Sequence, residues 1–184
     1  MKLFDASQRL QKTYRLYLTA FRNSPNERLL EQLANGEDLW NRKNYRGHVT
    51  ASAIVLSADR SQTLLIRNRN LDRWLAPGGH CDPYEMPIES AQRELREETG
   101  LACLPLLEVH SHAALPIDVD THRIPANPKK GEEEHFHHDF RYVFVAESDS
   151  QTTFPELEIS GLDYYPVKEL ERAYPRVFSR LSNL

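Results

Sequence analysis

The chain predicts an α/β (α+β) domain preceded by an N-terminal helical segment, and three observations carry that prediction. Residues 1–46 repeat their apolar side chains at helical spacing. Residues 47–67 hold two β-branched runs around a polar turn. Residues 86–100 form a short acidic helix bracketed by a proline and a glycine. With 184 residues, one domain with a full core is expected, over residues 47–184, behind a helical extension of residues 1–46.

In the extension, Asp5 followed by Gln8 reads as a capping box. Leu10, Tyr14, Tyr17, Leu18 and Phe21 then share one helical face. Ser24-Pro25-Asn26-Glu27 is the stronger start signal, with a cap, a proline in the first turn and a glutamate three residues on. Leu29, Leu30 and Leu33 follow, and Gly36 ends the run. A helical hairpin packed on the domain is the plain expectation. A dimer contact or a lid is the alternative, which leaves a homodimer open.

Residues 47–57 read as a strand, Asp59-Arg60-Ser61 as a turn and residues 62–67 as the returning strand. Residues 68–73 are polar and looped, and Trp74 leads into a glycine pair. Trp74 reads as a core or loop anchor, with stacking on a substrate base as the alternative. Residues 102–114 read as another strand. Residues 115–134 carry three prolines, Asp118, Asp120, His122, Lys129 and Lys130, and read as a substrate-covering loop, since long loops in compact domains are commonly functional. Residues 135–145 are a strand whose alternation puts His135, His137 and Asp139 on one face and His138 on the other. Histidines two apart on a strand can ligate a transition metal. Residues 162–167 read as a short strand, 168–174 as a helical turn, and Pro175 onward as a last helix.

The acidic helix holds the chemistry. Pro87 suits its first position and Gly100 its left-handed cap. Ile88, Ala91 and Leu95 form a narrow apolar stripe, and Glu94, Glu97 and Glu98 form a second stripe beside it. Like charges at i, i+4 cost roughly 0.2–0.5 kcal/mol even when exposed, and burial raises the cost. Arg93 relieves part of this through Glu97. A hard divalent cation relieves more, because Mg²⁺ is usually held by one or two carboxylates plus substrate phosphates. A solvated Glu/Arg helix is the alternative reading.

Composition narrows the partners. A net charge of −4 gives no basic surface for a nucleic-acid backbone. Two cysteines, Cys81 and Cys103, do not make a disulfide framework, and the N-terminus lacks the apolar core of a leader. No run approaches membrane-spanning length, so a cytoplasmic protein acting on a small molecule is expected.

Gly79, five residues, Glu85, seven residues, then Arg93-Glu94-Leu95-Arg96-Glu97-Glu98-Thr99-Gly100-Leu101 matches the Nudix box at every fixed position. The chain therefore resembles the Nudix hydrolase family. The resemblance implies a Nudix-fold α/β/α sandwich with a mixed sheet. It also implies Mg²⁺- or Mn²⁺-dependent hydrolysis of a small-molecule diphosphate, with Zn²⁺ ranked behind those ions. By motif position, Glu94, Glu97 and Glu98 look like metal ligands, joined by the Gly79 carbonyl and by Glu85. Arg93 looks like an orienting partner in the catalytic set. Glu94 is the first choice for general base, with Glu134, Asp139, His135 and Glu158 outside the motif. Trp74, His122, His135, His137, Asp139 and Glu158 are the candidate substrate contacts. Two other readings stay open: an isopentenyl-diphosphate isomerase-like enzyme, for which Cys81 and the histidines give a foothold, and a non-catalytic nucleotide sensor.

Overall fold

The computed structural model describes residues 2–101, 115–128, 131–147, 152–155 and 157–183. The strand expected at 102–114, with Cys103, and the lysine pair Lys129-Lys130 lie outside the described residues. The described elements run α1 (Leu3–Phe21), α2 (Glu27–Ala34), β1 (His48–Leu56), β2 (Gln62–Asn68), β3 (Arg73–Leu75), β4 (Gly78–His80), α3 (Pro87–Thr99), β5 (Asp118–Ile124), β6 (His135–Val145), β7 (Ile159–Pro166), α4 (Glu169–Ala173) and α5 (Pro175–Leu181).

The strands form one mixed sheet in the order β3-β2-β1-β6-β5, with β4 also on β1 and β7 also on β2. Among the described residues only β1 and β6 run parallel, from His48 opposite His137 to Leu56 opposite Val145. On one edge, β1 pairs with β4 at Thr50 to Ser52 and then with β2 at Val55 and Leu56. That handover places the turn into α3 beside the centre of the sheet.

Alternation along β1 sends two sets of side chains to two faces. Val49, Ala51, Ala53 and Val55 join Ala91 and Leu95 of α3, and Leu10, Tyr14 and Tyr17 of α1, in one apolar cluster. Ile54 and Leu56 join Leu170, Tyr174 and Val177 of the last two helices in another. Helices therefore cover both faces, as the sandwich expectation requires. The α1–α2 hairpin packs on the α3 face, where the Tyr14 ring meets Phe140 at 6.4 Å between centroids.

Two start signals fall elsewhere than the sequence suggests. No box forms at Asp5, because α1 is already running at Leu3 with Lys2 as an unbonded cap. Ser24 does not cap α2 either. Asn26 does, accepting from the Leu29 N–H at 3.1 Å while its own N–H donates to the Tyr14 hydroxyl at 2.7 Å. That second bond fixes the start of α2 against α1, a constraint that local sequence does not carry.

The larger correction concerns residues 115–134, read as loop. Residues 118–124 are strand β5, paired antiparallel to β6. Asp118 and Asp120 speak against a strand by propensity, yet they lie opposite Arg141 and Asp139 across the ladder. Asp118, fully buried, receives Arg141 at 2.9 Å, Arg176 at 2.8 Å and Arg180 at 3.1 Å. The pairing satisfies acids that would otherwise be forbidden inside a sheet.

Gly47, at φ 153°, precedes β1 where the chain passes under α2, and a Cβ there would stand 2.4 Å from His138 Nε2 and 2.9 Å from Gln32 Oε1. Those two atoms make a buried 2.9 Å hydrogen bond. Gly47→Ala is therefore expected to lower unfolding free energy by about 2–3 kcal/mol, through overpacking and an unfavourable backbone angle. Urea denaturation checks this, and an unchanged midpoint would contradict it.

Candidate active site

Pro87 opens α3 and Gly100 closes it at φ 72°, both as the sequence indicates. The helix buries Ala91, Leu95 and Glu98 against the sheet. Because Glu94 and Glu98 are one turn apart, burial of Glu98 draws Glu94 to the same edge. The Glu94 side chain is 15% exposed and the Glu97 side chain 57%. The trio thus runs from interior to solvent along one helix edge.

The strand β4 meets that edge. Glu98 Oε2 accepts the Gly78 N–H at 2.8 Å. Glu94 lies flat on Gly79, where a Cβ would come within 2.5 Å of its Oε1. Burial pushes the Glu98 carboxyl up to about 8, against the Gly78 bond, with the charges of Glu94, Glu158 and Glu97 pushing the same way. Burial also raises Glu94, against the opposing pull of Arg93. These carboxyls are held where a proton, or a stronger positive charge, is wanted.

Arg93 organises the rest. Its guanidinium donates to Glu94 at 2.8 Å, to Glu97 and Glu85 at 3.1 Å and to the His80 carbonyl at 2.9 Å. Glu85 also accepts from Ser90 Oγ at 2.7 Å. Burial acts to raise the Glu85 carboxyl, but the bonds from Ser90 and Arg93 outweigh it and leave it lowered. Its bonds make Glu85 the fixed end of the arginine.

The other sequence candidates scatter. Trp74 on β3 packs edge-on to Tyr165 at 5.0 Å and covers Gly161, both on β7. Glu134 pairs with Arg123. Asp139 accepts from Ser52 Oγ at 2.9 Å and from Arg141 at 2.8 Å. Among the candidates outside the motif, Glu158 adds its charge to the upward push on Glu98. Cys81 is buried in the α3-side core, where burial pushes its thiol up, which weakens the cysteine half of the isomerase reading.

His135, His137 and His122 gather at the N-terminal end of the β1–β6 pair, on the sheet face away from α3. Two histidines that sequence reasoning missed join them. His48 stacks on His135 at 5.0 Å and His80 on His48 at 5.1 Å between centroids. Burial, with the neighbouring imidazoles, holds His137 down at about 2. His138 points the other way, to Gln32 and Thr121. The β1–β6 register sets His48 opposite His137 and the β1–β4 register sets His80 opposite Thr50, signals that exist in three dimensions and not in the local sequence.

A family model for the NUDIX domain matches residues 47–181. A protein of Lactococcus lactis subsp. cremoris named "Probable DHNTP pyrophosphohydrolase" is 32% identical over 132 residues, covering 72% of this chain and 69% of that protein. An RNA pyrophosphohydrolase of Pseudomonas savastanoi pv. phaseolicola is 44% identical over 48 residues, which is 26% of this chain and 30% of that protein. Among solved structures, the Escherichia coli dihydroneopterin triphosphate pyrophosphohydrolase superposes with a TM-score of 0.55 at 13% identity, over 74% of this chain and 96% of that one, a likeness of fold. The match over residues 47–181 includes the whole motif that places Glu94 and Glu98 against β4, and the chain belongs to the Nudix hydrolase family.

Proposed function

We propose that the chain hydrolyses a phosphoanhydride bond in a small diphosphate-linked molecule, with a divalent cation held by Glu94, Glu97 and Glu98 beside the Gly79 carbonyl. The observation that carries this is the pair Glu98, buried, and Glu94, half-buried beside it at the β4 edge, with the acidity of both suppressed. Such a donor set of carboxylate oxygens plus a carbonyl suits Mg²⁺ or Mn²⁺ better than Zn²⁺. When bound, Mg²⁺ supplies charge neutralisation on phosphoryl oxygens and activation of water.

The chain's own residues supply the rest. The Gly78 N–H fixes the direction of the Glu98 carboxylate. Arg93 holds Glu94 and Glu97 in register and is itself anchored by Glu85, so it acts as a positioning residue. In this reading Glu94, half-buried and raised by that burial, takes a proton from an attacking water. Glu158 is the second candidate for that role.

Dihydroneopterin triphosphate is the first substrate to try, because the Lactococcus relative is named a probable DHNTP pyrophosphohydrolase. ADP-ribose, nucleoside triphosphates, dinucleotide polyphosphates and 5′-triphosphorylated RNA complete the panel. With Mg²⁺, release of phosphate or pyrophosphate from at least one of these is expected, and chelation abolishes it. Isomer in place of phosphate from isopentenyl diphosphate would support the isomerase instead. Melting shifts without turnover from any compound would support a sensor.

Gly79 offers a sharper test of the geometry. Gly79→Ala forces the Glu94 carboxylate, 2.5 Å from the new methyl, to swing away. Turnover is expected to fall on the order of 10²-fold, the size of an ångström-scale misplacement. The melting temperature should change little, because the displaced group is the end of a flexible side chain. Unchanged kcat in the Gly79→Ala variant would contradict the placement.

A further inference from the structure

We infer that His48, His135 and His137 form a transition-metal site for Zn²⁺, separate from the carboxylate site and independent of the proposed hydrolysis. One ring nitrogen from each lies within 4.8 Å of the others. The Nε2 atoms of His135 and His137 are 3.2 Å apart. A tetrahedral zinc with Zn–N distances of about 2.0–2.1 Å separates its ligands by about 3.3–3.4 Å, so this pair already spans one edge of the polyhedron.

The second observation is the protonation pattern. His135 Nδ1 faces the Glu133 carbonyl at 2.7 Å, and His48 Nδ1 faces the Asn44 carbonyl at 3.3 Å. A carbonyl only accepts, so each Nδ1 carries the hydrogen and each neutral ring turns an Nε2 lone pair inward. Backbone carbonyls orient metal-binding histidines in this way. His48 is 1% exposed, and its Nε2 is buried with no hydrogen-bond partner. Protein interiors rarely leave such an acceptor unpaired. A cation between the three rings satisfies all three lone pairs at once, which no arrangement of the ring hydrogens does.

The fold brings this set together by pairing. His48 and His137 face each other across the parallel β1–β6 ladder, and His135 precedes by one pleat. All-imidazole donors select borderline ions such as Zn²⁺ over Mg²⁺. Three protein ligands leave the fourth position for water or a substrate atom. The rings of His80 and His122 border it, 5.1 and 5.8 Å from His137 between centroids. The His80 carbonyl accepts from Arg93, so one residue touches both sites.

The test is Zn²⁺ titration of the chelator-stripped full chain against a competing chromophoric chelator. One equivalent should bind, with affinity at least about 100-fold weaker in His48→Gln and in His135→Gln. Glu98→Gln should bind Zn²⁺ as the wild type does. Co²⁺ in the wild type should give the intense visible absorption of tetrahedral coordination, and X-ray absorption should show imidazole nitrogen around the ion. Equal affinity in wild type and histidine variants would overturn the site, as would loss of binding in Glu98→Gln, which would move the ion to the carboxylates. If the histidine variants fail to fold, the wild-type absorption spectrum decides, and a shell of oxygen alone overturns the proposal.

Discussion

Glu98→Gln is expected to reduce turnover by about 10²–10⁴-fold while leaving the protein folded. The two halves of this expectation have one cause. Glu98 is buried, and burial pushes its carboxyl up to about 8. Its charge is therefore a cost to the fold, tolerated at a place where function needs it. Glutamine is nearly isosteric, and its amide oxygen can accept the Gly78 N–H that now reaches Glu98 at 2.8 Å. The melting temperature of the metal-free variant should match or exceed that of the wild type. Activity should collapse, because a neutral amide neither binds Mg²⁺ strongly nor sustains the local negative charge. Paired kinetics and thermal melts check both halves. Wild-type turnover, or a melting temperature several degrees lower, would contradict the account.

Arg141→Met carries the largest expected effect on stability. The Arg141 side chain is 10% exposed, and its guanidinium binds Asp118 at 2.9 Å, Asp120 at 3.0 Å and Asp139 at 2.8 Å. It lies 5.0 Å from the centroid of the Tyr174 ring, under the helices that close this face. Removing it takes the arginine from Asp139, leaving the hydrogen bonds from Ser52 and Thr50, and weakens the hold on Asp118, which keeps Arg176 and Arg180. Breaking one side of a buried charge network typically costs 3–5 kcal/mol, because an uncompensated charge is left behind. About that loss is expected in guanidinium denaturation. A loss under about 1 kcal/mol would show that the network contributes little beyond its packing.

The same network explains what the sequence concealed. Residues 118–124 look like loop because aspartate disfavours strands. The arginines that make Asp118 acceptable stand 23, 58 and 62 residues further along. No local window contains them. The α3 helix was legible for the opposite reason. Its proline start, its glycine stop and its separated apolar and acidic stripes all lie within fifteen residues or so. The arginine's role was legible in part: its i+4 contact with Glu97 follows from helix geometry, whereas its grip on Glu85 and on the His80 carbonyl depends on how the preceding turn folds back. His48 and His80 escaped notice as lone histidines at strand ends. They acquire meaning only once β1 is set between β4 and β6.

The most direct measurement is the anomalous signal of a crystal soaked in Mn²⁺ and a non-hydrolysable diphosphate. The account predicts a peak bounded by Glu94, Glu97 and Glu98, with phosphate oxygens completing its shell. Those three side chains turned into bulk solvent, with no ion among them, would contradict it.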